Sequence, residues 1–375
     1  MKRLFTLLVL ALSFSTIFAQ QTTVALLNHE GTITTYYGSE ALTQAHKDAV
    51  HGDVITLSGG GFTAPSSWTK AVTLRGAGCY EGADNSREVT SIGNEFKLAI
   101  PTDIETTMTI EGISFKFNFS FSTRVQNTTF LKCYFMRGLT SVCCNTNFYN
   151  CVLSNCLFNA AVNYLATVNF FNCYINDPCN SSSFVSTKFT NCIIRFSNYS
   201  GSVSGSSTYG YVIWHMGYTR YDNCIFLGNT KSASSQKPAD YNIPDNCTAT
   251  NCLSCYCAYQ TATDSEDAIC DYNIFDNMSN KTNKYLEDGK PINETIKSVF
   301  KTYNGTDGFS FNELYELTDE AKTKYIGSDG TQIGIYGGMG FDLVPSTLQI
   351  TKCEVAPRST TDGKLSVSIE VGIPE

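Results

Sequence analysis

The sequence predicts an all-β fold in which the chain winds into a parallel β-helix. Three observations support this fold class: a short frame built around Asn-Cys recurs, its copies lie about 20 residues apart, and no helical periodicity separates them. Repeats of this length mark a stacked array, because one unit cannot bury its apolar face until the next unit covers it.

The repeated frame has the form apolar-x-Asn-Cys-x-apolar, with Gly or Lys in the Asn place in some copies. Successive copies lie 18 to 36 residues apart, which indicates single coils with occasional insertions. The eight residues at the shared position are Gly76, Gly112, Lys132, Asn150, Asn172, Asn191, Asn223 and Asn251.

The shared position indicates a sharp bend in the backbone. Apolar residues alternate before it as in a strand, but the alternation slips by one residue at the Asn or Gly. One residue in the left-handed conformation produces such a slip, and Gly and Asn tolerate that conformation best. We therefore expect a left-handed bend in every copy, with stacked Asn side chains bonded to one another as in other ladders. Lys132 is the exception, and the sequence does not explain it.

The chain contains 16 cysteines, an even number that is compatible with a disulfide framework in an exported protein. A cysteine directly after the bend suits an inward-facing column instead, because Cys is small, apolar and often buried. A column of Phe and Tyr is expected beside it. The residues predicted as reduced core cysteines are Cys133, Cys151, Cys173, Cys192 and Cys224.

Residues 1–19 are predicted to form a signal peptide. Lys2 and Arg3 are followed by an apolar run over residues 4–18 and by the small residue Ala19. That run of about 15 residues is shorter than the roughly 20 that cross a bilayer, so we expect cleavage rather than an anchor. A mature chain without a transmembrane span, secreted or at the cell surface, is the resulting expectation.

Residues 24–340 are predicted to form the β-helix domain. A short helix over residues 39–50, capped by Ser39, is expected to open it. Strands at residues 52–57 and 71–74 follow that helix. A helix across the open end would protect the core and edge of the first coil.

The C-terminal part of the sequence departs from the repeat. Residues 258–324 keep no frame, so loops and a short helix near residues 318–324 are expected. Residues 341–375 are predicted to form a small β appendage with strands at 346–355 and 364–371. Two strands alone are marginal in water, so they would dock on the β-helix, pair with a partner or serve in sorting or anchoring.

Three segments carry a resemblance to a known family. They read GDVITL at residues 52–57, AVTLRGAG at 71–78 and YIGSDGTQIGIYGG at 325–338. Together with the Asn-Cys coils, they resemble secreted pectin-lyase-like β-helix proteins of Gram-negative bacteria, most of them uncharacterised. The resemblance covers about residues 24–340 and implies a right-handed parallel β-helix, but it implies no activity.

Composition and motifs exclude several function classes. Lys and Arg number 26 and Asp and Glu 34, for a net charge of −8 without a basic cluster, so nucleic acid is not an expected partner. The Asn-Thr-Asp, Asp-Asp, Gly-His-Gly and Arg-Ile-Lys signatures of polygalacturonase-like enzymes are missing from the sequence. We therefore predict no catalytic residue and no cofactor. His29, His46 and His51 lie in or before the cap, where we expect side chains that face solvent.

The insertion between Cys192 and Cys224 supplies the candidate ligand-binding residues. Aromatic rings stack on sugar faces, so a glycan-binding loop is one interpretation of this insertion, and packing of its residues onto the β-helix is the favoured alternative. The candidates are Tyr211, Trp214, His215, Tyr218, Arg220 and Asp222.

A zinc site was considered for four clustered cysteines, because Cys-x2-Cys is a common half-site. The second half-site is missing and one of the four belongs to the repeated frame, so burial or a disulfide is favoured and no metal is predicted. The four residues are Cys247, Cys252, Cys255 and Cys257.

Two functions remain open on the sequence alone. The first is an exported, non-catalytic β-helix protein of the cell surface or extracellular space that binds glycan or host matrix. The alternative is a polysaccharide lyase or glycoside hydrolase whose site lies in the insertion over residues 195–222. The sequence does not indicate an oligomeric state.

Overall fold

The structure is a computed structural model of the 375-residue chain. The predicted signal peptide lies outside the residues that it describes. The described residues are 23–79, 89–104, 107–123, 125–141, 143–154, 156–158, 166–176, 179–180, 185–195, 219–227, 247–255, 269–271, 274–275, 296–303, 313–341, 349–355 and 367–372.

The chain is a parallel β-helix, which confirms the predicted fold class. Each coil contributes one strand to a sheet that we call sheet A and, after the bend, one strand to sheet B. The earlier coils add a strand to the shorter sheet C. Inward-facing side chains of the three sheets fill one continuous apolar core.

Sheet A ends in an antiparallel hairpin, and from its third strand onward neighbouring strands are parallel. Its twelve strands within the described ranges are, in spatial order, Thr32–Tyr37, Val24–His29, Val54–Leu57, Thr73–Arg75, Met108–Glu111, Thr128–Leu131, Thr146–Tyr149, Ala166–Phe171, Val185–Thr190, Thr219–Asp222, Cys247–Thr250 and Ile269–Asp271.

Sheets B and C are parallel throughout their described strands. Sheet B contains Gly60–Phe62, Thr90–Ile92, Ile113–Phe115, Tyr134–Phe135, Val152–Ser154, Tyr174–Asn176, Ile193–Arg195, Ile225–Leu227, Leu253–Cys255 and Ile274–Phe275. Sheet C contains Phe96–Leu98, Phe119–Phe121, Leu139–Ser141, Cys156–Phe158 and Cys179–Asn180. A separate parallel pair joins Val125–Gln126 to Cys143–Cys144.

Helix α1, Ala41–Asp48, packs at the N-terminal end of the coils as the sequence predicted. It buries Ala41, Leu42 and Ala45 completely. The prediction that Ser39 caps this helix is wrong. The helix begins after Glu40, whose side chain makes no capping bond, and the Ser39 carbonyl instead accepts a hydrogen bond from the Thr63 amide.

The predicted left-handed bends are confirmed in seven of the eight frame copies. Their φ angles lie between 51° and 67°, at Gly112, Lys132, Asn150, Asn172, Asn191, Asn223 and Asn251. Gly76 is the exception because its φ is not positive. A Cβ at Gly76 would overlap the Gly112 carbonyl oxygen, so glycine is needed there for close approach of two backbones rather than for a bend.

A second left-handed corner precedes sheet A in two coils, and the repeated frame did not predict it. Asn127 and Asn145 have φ angles of 54° and 51°, and each directly precedes a strand of sheet A. The same tolerance of Asn for the left-handed region explains both corners.

The predicted aromatic and cysteine columns both form in the core. Five rings lie nearly parallel, with successive centroids 4.8 to 5.0 Å apart, at Phe130, Phe148, Phe170, Phe189 and Tyr221. The five predicted core cysteines are fully or almost fully buried and form no disulfide. Each thiol lies close to the carbonyl two residues earlier, as Cys173 does to Phe171 at 3.3 Å, so the column also satisfies backbone acceptors.

A C-terminal segment covers the outer face of sheet B. Helix α2, Ile296–Val299, helix α3, Asp319–Lys324, and residues 325–341 pack there around a second apolar cluster. The α3 prediction is confirmed, and the Thr318 hydroxyl caps the helix by accepting a bond from the Ala321 amide at 3.1 Å.

Residues 325–341, which we call the closing segment, bind the side chains at the bends. The Asn191 amide donates to the carbonyls of Ile335 and Gly337 at 2.7 Å each, and Asn251 accepts from the Ser328 amide at 2.9 Å. At these two bends the expected Asn-to-Asn ladder is therefore replaced by contacts to the closing segment.

The two predicted C-terminal strands also form. Gln349–Val355 and Val367–Gly372 pair antiparallel as a separate two-stranded sheet.

Within the part of the chain that the structure describes, no helix has the length and hydropathy that a membrane crossing requires.

Candidate functional site

The candidate site lies on the outer face of sheet A, in four of the five coils that contribute to the stacked aromatic core. Phe148, Phe170, Phe189 and Tyr221 point into the core, so the residues on either side of each point outward. We call these outward residues the outer A face. They are Asn147, Tyr149, Asn169, Phe171, Lys188, Thr190, Arg220 and Asp222.

One column of this face changes from amide to cationic side chains along the helix axis. The register aligns Asn147, Asn169, Lys188 and Arg220 on successive strands. The Asn169 amide nitrogen donates to the Asn147 side-chain oxygen at 2.9 Å, which holds both amides in fixed orientations. Unused donors and acceptors of the pair then face outward.

The neighbouring column begins with two aromatic rings. Tyr149 and Phe171 stack with centroids 4.9 Å apart and planes 9° apart, and both are partly exposed. The 4.8 Å strand spacing of a β-helix imposes this distance, so the rings form a rigid apolar stack that is partly exposed to solvent. Because these two side chains are already fixed by stacking, they would lose little conformational entropy when a ligand binds.

Asp222 is the last residue of the outward column that begins with Tyr149, and its carboxylate lies between two cations. The Arg220 Nε donates to both carboxylate oxygens, at 2.9 and 2.8 Å, and the Lys188 Nζ lies 3.5 Å from one of them. Arg220 and Lys188 are exposed, whereas Asp222 is largely covered. The three groups together carry one excess positive charge, and exposed pairs of this kind contribute little to stability.

Thr190 lies between Phe171 and Asp222 in the same column. Its side chain is covered by its neighbours, with the residue only 9% exposed. Among the described residues, its hydroxyl has no hydrogen-bond partner. Buried hydroxyls are normally satisfied by protein, water or ligand, so this group marks a place where a polar partner is expected.

The structure brings two of the six predicted ligand-binding residues together. Arg220 and Asp222 lie on the outer A face and contact each other directly. The other four candidates fall outside the described residues, and their relation to this face stays a prediction. They are Tyr211, Trp214, His215 and Tyr218.

The remaining residues of the outer A face were missed at the sequence level, although the repeated frame contained the signal. The apolar positions of the frame predict only the inward-facing columns. Its variable position, directly before the bend, holds Tyr149, Phe171, Thr190 and Asp222 in successive coils. Because strand residues alternate in direction, that variable position had to face outward.

One histidine expectation is wrong. His46 is buried rather than facing solvent, with its ring 4.3 Å from that of Trp68 and its Nε2 accepting a bond from the Thr69 amide at 3.3 Å. His29 is exposed and lies 2.8 Å from Asp53, and the His51 Nδ1 accepts from the Ala71 amide. These contacts give the histidines structural roles in the cap.

The described residues offer no metal site. In the ranges that the structure covers, no three His, Cys, Asp or Glu side chains are grouped so as to hold a metal ion. Of the four cysteines considered for zinc, Cys252 is buried in the core column, where its thiol lies 3.3 Å from the Thr250 carbonyl.

Comparison of the chain with models of protein families and with curated proteins gave no match.

Proposed function

We propose that the protein is an exported, non-catalytic β-helix of the cell surface or extracellular space, and that it binds glycan on the outer A face. The stacked pair Tyr149 and Phe171 carries this proposal, because two stacked, partly exposed rings beside an oriented amide pair offer an apolar surface and hydrogen-bonding groups that match the apolar patches and hydroxyls of a sugar. Matrix glycans of a host are one source of such a ligand.

Export is part of the same proposal. Residues 1–19 have the basic, apolar and small-residue order of a cleavable signal peptide. The resemblance to secreted pectin-lyase-like proteins of Gram-negative bacteria supports the same address. A binding protein outside the cell meets polysaccharide directly, which agrees with a recognition surface built from aromatic and amide groups.

The alternative function is a polysaccharide lyase or glycoside hydrolase. Hydrolysis uses two carboxyl groups on either side of the scissile bond. Asp222 is instead neighboured by Lys188 and Arg220, and the residues aligned with it on the adjacent strands are Thr190 and Thr250. A carboxylate enclosed by cations and hydroxyls favours a structural or ligand-orienting role, so binding is the preferred function.

The test is binding of the purified protein to a panel of neutral and acidic polysaccharides by affinity electrophoresis and calorimetry. Tyr149→Ala and Phe171→Ala should each weaken binding by at least about fivefold, because stacking contributes about 1 kcal/mol or more. Phe117→Ala is the matched control, since Phe117 is 44% exposed and follows sheet B rather than lying on sheet A.

Two outcomes would contradict the proposal. The first is equal binding by the wild type, Tyr149→Ala and Phe171→Ala. The second is release of reducing ends or unsaturated products by the wild type and its loss in Asp222→Ala and Arg220→Ala, which would establish the enzymatic alternative. Thermal unfolding of each variant separates loss of binding from loss of fold.

A further inference from the structure

The outermost strand of sheet A, Thr32–Tyr37, leaves one edge open. It pairs with Val24–His29 on one side, and no strand in the described ranges pairs with its other side. Charged residues and proline usually protect an edge strand from pairing, and the sequence of this strand, TITTYY, contains neither. Ile33 and Tyr37 are 62% and 66% exposed.

The hairpin register identifies the backbone groups that face this open edge. The Gly38 amide donates to the Thr23 carbonyl at 2.8 Å, so position 38 is hydrogen-bonded to the inner strand. In an antiparallel ladder such positions alternate, which places the backbone groups of residues 36, 34 and 32 toward the inner strand. The amides and carbonyls of Ile33, Thr35 and Tyr37 therefore face the open edge.

These three residues are complementary to themselves. A two-fold axis through Thr35, perpendicular to the sheet, places Ile33 opposite Tyr37 of a second copy and Thr35 opposite its own equivalent. Each of these pairs exchanges two backbone hydrogen bonds, whereas a shift of the axis to position 34 or 36 leaves one of the three residues outside the paired set.

The side chains agree with this register. Ile33, Thr35 and Tyr37 alternate onto the same face of the strand, so the register forms a Thr-Thr pair flanked by two Ile-Tyr pairs. β-Branched residues paired with aromatic residues, and Thr paired with Thr, are favourable cross-strand combinations. A net charge of zero in the strand also removes repulsion between identical copies.

The edge strand is held in place before any partner binds. The Tyr36 hydroxyl donates to the Asp48 carboxylate at 2.8 Å, which ties the strand to helix α1. The turn before it is a two-residue loop with positive φ at both Glu30 and Gly31, a geometry that fits hairpins. A preformed edge loses little conformational entropy on pairing.

We propose that two copies of the protein associate head to head through the edge strand Thr32–Tyr37, with sheet A continuing across a two-fold axis at Thr35. The occupant of the open edge is thus a second copy of this chain. The resulting dimer presents its two outer A faces on one continuous sheet surface.

Sedimentation velocity and light scattering over a range of concentrations test this inference on the purified protein. The wild type should show a concentration-dependent dimer. Ile33→Lys places a charge at the open edge, and Thr35→Pro removes the central edge-facing amide, so each should raise the dimer dissociation constant by at least about tenfold. Thr56→Lys is the matched control, because Thr56 is exposed on the same face but lies on an interior strand.

Hydrogen exchange of the peptide that spans the edge strand gives a second readout. Its amides should exchange more slowly at high protein concentration in the wild type and in Thr56→Lys, but not in the two edge variants. A monomer at roughly 100 μM would overturn the proposal. A dimer that persists unchanged in both edge variants would overturn it as well.

Discussion

Lys132 and Asn150 adopt the same left-handed backbone conformation on successive coils, each with a φ of 51°. Their amides make equivalent bonds one coil apart, from Lys132 to the Tyr149 carbonyl at 2.9 Å and from Asn150 to the Phe171 carbonyl at 3.0 Å. The stacking of coils therefore fixes the bend at position 132 whatever residue occupies it. Lysine adopts this conformation at a higher free-energy cost than asparagine does.

Lys132→Asn should accordingly stabilise the protein. We expect a gain of about 1 kcal/mol in the free energy of unfolding, because Asn tolerates the left-handed region better than Lys. Lys132→Gly should also stabilise, with part of its gain offset by a more flexible unfolded chain. Urea denaturation measures the change, and Lys132→Ala is the control that removes the lysine side chain without relieving the backbone. An Asn variant no more stable than the Ala variant would contradict this account.

The cysteine column should be protected from alkylation in the folded protein. Burial raises the pKa of the Cys133, Cys173 and Cys224 thiols, so they are less often the reactive thiolate and are also inaccessible. Iodoacetamide labelling followed by peptide mass spectrometry should be at least roughly 100-fold slower in the native protein than in guanidinium. If these cysteines stay unlabelled in the unfolded, unreduced protein, they are disulfide-bonded and the reduced column is wrong.

The bends and inward columns were predictable from the sequence because their causes are local. Asn172 and Cys173 show why: a left-handed residue followed by a small apolar one repeats wherever the chain turns into the core. Gly76 differs because its glycine is required by contact with Gly112 on another coil, which local pattern does not reveal.

The outer A face was only partly predictable. The position of Arg220 and Asp222 in a long insertion makes them candidates, whereas their outward direction follows from the alternation around the buried Tyr221. The burial of His46 depended on Trp68, which lies in a distant part of the sequence. Contacts between coils decide such cases, and a single coil does not encode them.

Acid should destabilise the cap through His46. Burial, with a smaller contribution from Lys70, lowers the pKa of His46 from 6.5 to about 4. Between these two pH values His46 is protonated in the unfolded chain but not in the folded chain. The contribution of His46 to the free energy of unfolding is therefore retained above pH 6.5 and lost as the pH falls toward 4. His46→Gln does not titrate, and its urea midpoint should fall less steeply over this range.

His29 provides a control, because its contribution to stability changes with pH in the opposite direction to that of His46. Its hydrogen bond with Asp53 raises the pKa of His29, so its contribution is present below pH 6.5 and lost as the pH rises through the raised value. His29→Gln should therefore leave the acid-side loss in place. Parallel pH profiles for the wild type and His46→Gln would show that His46 is accessible to protons in the folded state.

The closing segment depends on a glycine that touches the bend column. A Cβ at Gly337 would overlap the Gln332 carbonyl oxygen and the Asn223 amide, while the Gly337 carbonyl accepts a bond from Asn191. Gly337→Ala should therefore cost about 2 kcal/mol or displace the segment, since the Gln332 carbonyl belongs to the backbone and the Asn223 side chain is buried. The expected signs are a lower urea midpoint and faster proteolysis within residues 325–341.

Gly93→Ala supplies the comparison for this last effect. A Cβ at Gly93 would meet only the Phe62 carbonyl oxygen, at an ordinary contact distance of 3.8 Å, so overlap is avoided. Both changes add one methyl group to a glycine, and only Gly337→Ala forces it into the bend column. Equal stability and equal proteolysis of the two variants would mean that the closing segment does not rest against Asn223 in solution.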